Sequence, residues 1–146
     1  MDAQQTSPKY EIVHTVTDYY DGPRQGIANY RGVPHFYECI FDPDKDDYSD
    51  LYRLTPLDES TFQLAMEGWA IWKRWEHAFY AGKTTIATHP ALPEDAAWHK
   101  ELKQALDGKL QSSPDAIIRL GKFIAVENTK LQKGRIRPLQ VQWSDP

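Results

Sequence analysis

The sequence predicts an α+β fold. The expectation is a single domain in which an antiparallel sheet of about five or six strands is packed by one long Trp-rich helix and one shorter amphipathic helix. Three observations lead there. Strand-like segments come in runs, three to four before two helical segments and two after, instead of alternating with helices as parallel βαβ units do. Residues 56–82, PLDESTFQLAMEGWAIWKRWEHAFYAG, hold three of the five tryptophans in one helical pattern. The chain has 146 residues, 40% apolar and 12% aromatic, which suits one sizeable core and not a disordered chain.

Residues 1–9 are polar and read as a flexible tail, leaving residues 10–146 as the domain. EIVHTVTDYY, from Glu11, is rich in β-branched and aromatic residues and reads as a strand. Asp21-Gly22-Pro23-Arg24 is a turn. Gly26 to Tyr30 and Val33 to Phe41 read as a hairpin around Arg31-Gly32. The second of these strands offers two faces, His35, Tyr37, Cys39, Phe41 and Phe36, Glu38, Ile40, and the alternation does not decide which is buried. DPDKDDYSD, 42–50, is a charged loop, and Leu51 to Leu54 is a strand that feeds the long helix.

The helix start is signalled by Thr55 before Pro56, or by Asp58 before Glu59, Ser60 and Thr61. Its stop is Gly82. At ~100° per residue, Phe62, Ala65, Met66, Trp69, Trp72 and Tyr80 form one apolar stripe. Leu64, Gly68, Ile71, Trp75 and Ala78 form another, so only the strip with Gln63, Glu67, Arg74 and His77 is left for solvent. A helix apolar on two sides is expected to be covered on two sides. A second helix, Glu94 to Asp107, carries Trp98, Leu102, Ala105 and Leu106 on its apolar face and stops at Gly108. SSPD, 112–115, is a turn. Residues 116–127 form a strand, ENTKLQKG a loop, and Arg135 to Trp143 the last strand, with Pro138 suited to an edge.

The motifs exclude more than they assign. AGKTT, 81–85, has the end of a phosphate-binding loop, but His77 stands where the first glycine belongs and a helix precedes it. Asp42, Asp44 and Asp46 fit a calcium loop until Asp47 replaces its glycine and Arg53 its final glutamate. The five histidines, His14, His35, His77, His89 and His99, form no zinc motif. No metal and no cofactor are expected. Glu76 projects onto the Trp69/Trp72 stripe with Lys73 one turn back, which reads as a carboxylate usable as acid or base or simply as an ion pair.

The densest polar constellation is N-terminal, with His14, Asp18, Tyr19, Tyr20, Asp21, Arg24, Tyr30, His35, Tyr37 and Glu38. A histidine, carboxylates, an arginine and tyrosines suffice for acid–base work on a small anion, and equally for a protein-binding surface. The candidate ligand- or partner-binding residues are Tyr20, Asp21, Arg24, Tyr30, His35, Glu38 and Glu76.

Charge is unevenly spread. Residues 38–59 hold eight acidic and two basic side chains, whereas 116–137 hold six basic and one acidic. The net charge is −4. That balance disfavours a general nucleic-acid binder, and the segments are expected to neutralise each other within the fold or between copies. The lone Cys39 fits a reducing compartment. MDAQQTSPKY has no basic n-region or apolar core of a signal peptide. No apolar run approaches the ~18–20 residues of a membrane span. The expectation is therefore a cytoplasmic, non-enzymatic protein-interaction or regulatory module that partners itself as a homodimer or another protein. The alternative is a small-molecule-binding protein or small enzyme using the N-terminal sheet, with His35, Arg24 and a carboxylate converging in a pocket.

Overall fold

A computed structural model describes residues 9–127 and 138–146. Six strands and two helices make the chain α+β. The strands are β1 (Glu11–Tyr19), β2 (Pro23–Tyr30), β3 (Val33–Asp42), β4 (Asp47–Pro56), β5 (Ile117–Ala125) and β6 (Leu139–Ser144). The helices are α1 (Glu59–Tyr80) and α2 (Ala96–Ala105). The strands belong to one compact unit, and Asp58–Leu110, inserted between β4 and β5, is a second.

The sequence led to an antiparallel sheet of about five or six strands but not to its closure. All neighbours pair antiparallel in the order β1-β2-β3-β4-β5-β6, and β6 returns to β1 through Glu11↔Val141 and Ile12↔Gln140, closing a barrel. Closure removes the exposed edges of an open sheet. It also creates an interior that alternate residues of every strand must fill. Ala28, Tyr37, Cys39, Tyr52, Leu54 and Val141 are its buried core, with Val13, Tyr30, Ile117, Phe123 and Trp143 packed against them. Four rings meet at edges or tilts: Tyr37 and Tyr52 at 5.9 Å, Tyr37 and Phe123 at 5.4 Å, Tyr52 and Trp143 at 5.6 Å. Such offset contacts suit aromatic quadrupoles better than face-to-face stacking. The buried polar tips find partners: Tyr37 donates to the Thr15 carbonyl at 3.1 Å, Tyr52 to the Pro23 carbonyl at 3.0 Å, and Trp143 to the Asn29 carbonyl at 2.8 Å.

On β3 both faces are used. Tyr37 and Cys39 point inward, while Phe36, paired with Ile27, is buried on the opposite face. The β2–β3 turn at Arg31 and Gly32 has φ of 52° and 78°, the left-handed pair of a type I′ hairpin. Glu11 caps it, accepting from the Arg31 and Gly32 amides at 3.0 and 2.8 Å. The acidic loop is shorter than expected, because β4 begins at Asp47 and not Leu51. Side chains carry that early start across an irregular register. Ser49 Oγ donates to the Ile40 carbonyl at 2.6 Å and accepts from Leu51 N at 3.1 Å.

In the helical unit, Asp58 is the cap: its carboxylate accepts from Thr61 N at 2.7 Å, while Pro56 ends β4. At the far end Gly82 adopts φ 73°. Lys83 N then reaches the Ala78 carbonyl at 2.8 Å and Gly82 N the Phe79 carbonyl at 3.1 Å, the Schellman closure. Leu64 and Ile71 pack with Ala91 and Leu102, and Arg74 clamps Asp95 with two bonds of 3.0 and 2.9 Å. The expected strip of Gln63, Glu67, Arg74 and His77 is exposed. On α2 only Leu102 of the expected stripe is buried; Trp98 is exposed and donates to Glu67 at 3.2 Å. Among the described residues no helix is long and apolar enough to cross a membrane. All but the first residue of the expected ENTKLQKG loop, and the start of the last strand at Arg135, lie outside the described residues, as does most of the N-terminal tail.

Candidate functional site

A cleft of about 350 Å³ opens on the barrel, lined by Asp18 of β1, Arg24 and Gln25 of β2, Glu38 to Phe41 of β3, and Tyr48 and Arg53 of β4. The register explains the gathering. Gln25, Glu38 and Arg53 sit in one row across β2, β3 and β4, as do Phe41 and Tyr48 nearer the hairpin end.

Arg24 is the most connected member. Its Nε donates to the Tyr20 carbonyl at 2.7 Å, Nη2 to the Asp21 carbonyl at 2.7 Å, and Nη1 to Cys39 Sγ at 3.4 Å. Its guanidinium lies 4.3 Å from the centre of the Tyr48 ring, within cation–π range. Burial works against its charge, but the Cys39 contact, with Tyr52 and Tyr48, outweighs burial and holds the guanidinium above its ordinary pKa. Glu38 is also engaged. It accepts from Ser112 Oγ at 2.8 Å and Gln25 Nε2 at 3.4 Å, and stands 3.8 Å from Arg53. Cys39 donates to the Ser49 carbonyl at 3.2 Å. Burial, and then Cys39, push the neighbouring Tyr52 phenol well above its ordinary value. Apolar area remains exposed at Phe41 of the cleft wall and at Tyr20, whose carbonyl holds Arg24.

Of the seven candidate residues, Arg24 and Glu38 line this cleft. Tyr20 and Asp21 reach Arg24 through their carbonyls, not their side chains. Tyr30 and His35 lie toward the other end of the β2–β3 hairpin, their rings 5.4 Å apart edge to face. Six residues at ~3.3 Å put Tyr30 about 20 Å along the strand from Arg24. His35 therefore does not converge with Arg24 on a carboxylate. Glu76 sits on α1 in the helical unit, buried and paired with Lys73 at 2.9 Å. Trp69 and Trp72 stack at 5.0 Å beside it.

Sequence reasoning missed Arg53, Tyr48 and the wall formed by Ile40 and Phe41. The signal available was the hairpin register, which puts Arg53 opposite Glu38 once β4 is extended back to Asp47. Among the described residues, no three His, Cys, Asp or Glu side chains gather as metal ligands. The aspartates of the former calcium candidate act locally: Asp42 accepts from Asp44 N at 3.0 Å and Asp47 from Tyr48 N at 2.7 Å. No protein-family model, curated protein or solved structure matches the chain significantly.

Proposed function

We propose that the chain is a non-enzymatic protein-interaction module whose contact surface is the cleft between β1 and β4. The observation that carries this reading is the state of the cleft's polar groups. The arginine and glutamate that could do chemistry are already bonded within the chain, while aromatic area is left exposed beside them. Tyr, Phe and Arg at a shallow, part-apolar opening are what protein interfaces concentrate. The barrel interior supports the same reading, since aromatic rings occupy the space a ligand would need. Partners of this kind include a second copy of the chain, and the reading carries with it a cytoplasmic location and no nucleic acid.

A second reading has one observation in its favour. A volume of about 350 Å³ falls in the range of small-molecule pockets, ~300–1,000 Å³. Native mass spectrometry of the freshly purified chain separates the two. A dimer or hetero-complex that dissociates in Phe41→Ser and Tyr20→Ser, with the unfolding midpoint unchanged, supports the interaction module. A retained small molecule of defined mass transfers the cleft to the second reading. A strict monomer with no captured partner counts against the first.

A further inference from the structure

We infer that Tyr30, His35 and Arg119 form a binding site for a small oxyanion that also carries a hydrogen-bond donor, such as a hydroxycarboxylate. The site is separate from the cleft and lies toward the turn end of the β2–β3 hairpin. The type I′ turn sets Tyr30 opposite Val33 and His35 opposite Ala28.

His35 carries the argument. Its Nδ1 is 2.7 Å from the Val33 carbonyl oxygen. A carbonyl can only accept, so Nδ1 holds the proton and Nε2 of the neutral ring is a bare acceptor. Among the described residues nothing hydrogen-bonds to Nε2, yet His35 is only 7% exposed. Buried polar atoms are nearly always satisfied, and one that is not calls for an explanation.

The neighbours supply the complementary half. Arg119 Nε donates to Tyr30 Oη at 3.2 Å, and Nη1 to the Ile118 carbonyl at 2.7 Å. That leaves Nη2 and the Tyr30 O–H as donors without a protein acceptor among the described residues. The guanidinium stands 5.6 Å from the centre of the Tyr30 ring, and the His35 ring 5.4 Å from it. Asp145 approaches Arg119 at 3.7 Å, but its side chain is 94% exposed, so solvent screens the pair. The site therefore offers a guanidinium edge, a phenol donor and an imidazole acceptor around one ring. A bare carboxylate meets the first two and presents only lone pairs to Nε2. A neutral polyol satisfies Nε2 but leaves the guanidinium without an anion. A hydroxycarboxylate does both.

The test is nitrogen-15 correlation spectroscopy of the His35 imidazole in the full chain, titrated with glycolate and malate. Acetate is the control without the donor, and glycerol the control without the charge. The expected result is an Nε2 resonance typical of an unbonded acceptor in the free protein, which moves saturably with glycolate and malate. Acetate is expected to bind at least about tenfold more weakly, and Arg119→Gln to weaken glycolate by about tenfold, as loss of one charge-assisted hydrogen bond implies. His35→Phe removes the preference for glycolate over acetate. The wild-type shift and Arg119→Gln decide the matter if the buried His35→Phe fails to fold. A proton on Nε2 in the free protein, equal binding of acetate and glycolate, or no saturable shift with any probe overturns the proposal. None of these outcomes touches the cleft, so this site and the interaction surface fail independently.

Discussion

Replacing Gly26 with alanine introduces a methyl group where β1, β2 and β3 come closest. The new Cβ would collide with the Thr15 carbonyl oxygen and lie 2.6 Å from Tyr37 Oη and 2.8 Å from Tyr37 Cζ. Tyr37 has no exposed surface, and the rings of Tyr52, Phe123 and Trp143 hem it in. It cannot swing away, so the strands must part or the Tyr37–Thr15 bond must break. Overpacking of this kind costs about 1–3 kcal/mol, and leaving the phenol and carbonyl unsatisfied adds about 1–3 kcal/mol. A loss of about 2–6 kcal/mol is expected, against a typical domain stability of ~5–15 kcal/mol. Tyr37→Phe alone costs about 1–2 kcal/mol through the orphaned Thr15 carbonyl. In the double variant the Tyr37 oxygen is gone while the clash with the Thr15 carbonyl remains; loss of the Tyr37–Thr15 bond is then counted once and not twice, so the cost falls short of the sum by about 1 kcal/mol. Urea unfolding followed by near-ultraviolet ellipticity, which reports the buried rings, measures all four corners of the cycle. Gly26→Ala within about 0.5 kcal/mol of the parent, the range of an ordinary surface change, would refute the close approach of β1 and β3 over this glycine.

Three further outcomes follow from the same contacts. Burial, and then the charge of Tyr52, raises the Tyr37 pKa, and burial raises that of Tyr52. The folded chain thus keeps protons that the unfolded chain releases near pH 10. Stability is full below about pH 10 and falls above it by up to ~1.4 kcal/mol per pH unit per tyrosine, a slope that Tyr37→Phe roughly halves; a flat profile up to pH ~11 would contradict the buried phenols. Arg24→Lys keeps the charge but loses the fork that holds the Tyr20 and Asp21 carbonyls, so the Tyr20 amide, bonded to the Gly22 carbonyl at 2.9 Å, exchanges faster with deuterium. Unchanged protection there would show that the turn does not depend on Arg24. Arg74→Ala breaks an exposed bidentate pair with Asp95 and lowers stability by no more than about 1 kcal/mol in a urea titration; a much larger loss would mean that the pair carries structure beyond its own bonds.

Local signals were legible in the sequence where a residue type has one conformational use. Gly82 and the Arg31-Gly32 pair mark the helix stop and the hairpin, and Asp58, the second of two starts the sequence offered, the helix start, because each meets a backbone requirement within a few residues. Closure of the sheet was not legible. It rests on long-range pairings such as Glu11 with Val141, which leave no local pattern. The faces of β3 could not be sorted either, since Phe36 and Tyr37 are both buried and alternation works only where one face stays wet. The start of β4 was hidden because Asp47 and Ser49 look like loop residues, yet their side chains bond backbone that the irregular ladder leaves unpaired. For the site, the sequence offered a set of polar and aromatic residues without their positions in space. Register then separated them, Arg24 and Glu38 to the cleft and Tyr30 and His35 toward the hairpin turn.

The measurement closest to the central claim uses two positions on β3. Phe41, at the cleft, and Val33, eight residues away and about 26 Å along the strand, are 45% and 46% exposed. A photo-crosslinking amino acid at each position, activated in cells that express the chain, samples two surfaces of equal accessibility. The interaction module predicts a discrete protein adduct from position 41 that is absent from position 33 and is lost when Tyr20→Ser is added. Equal labelling from both positions, or a discrete adduct from position 33 alone, would contradict it.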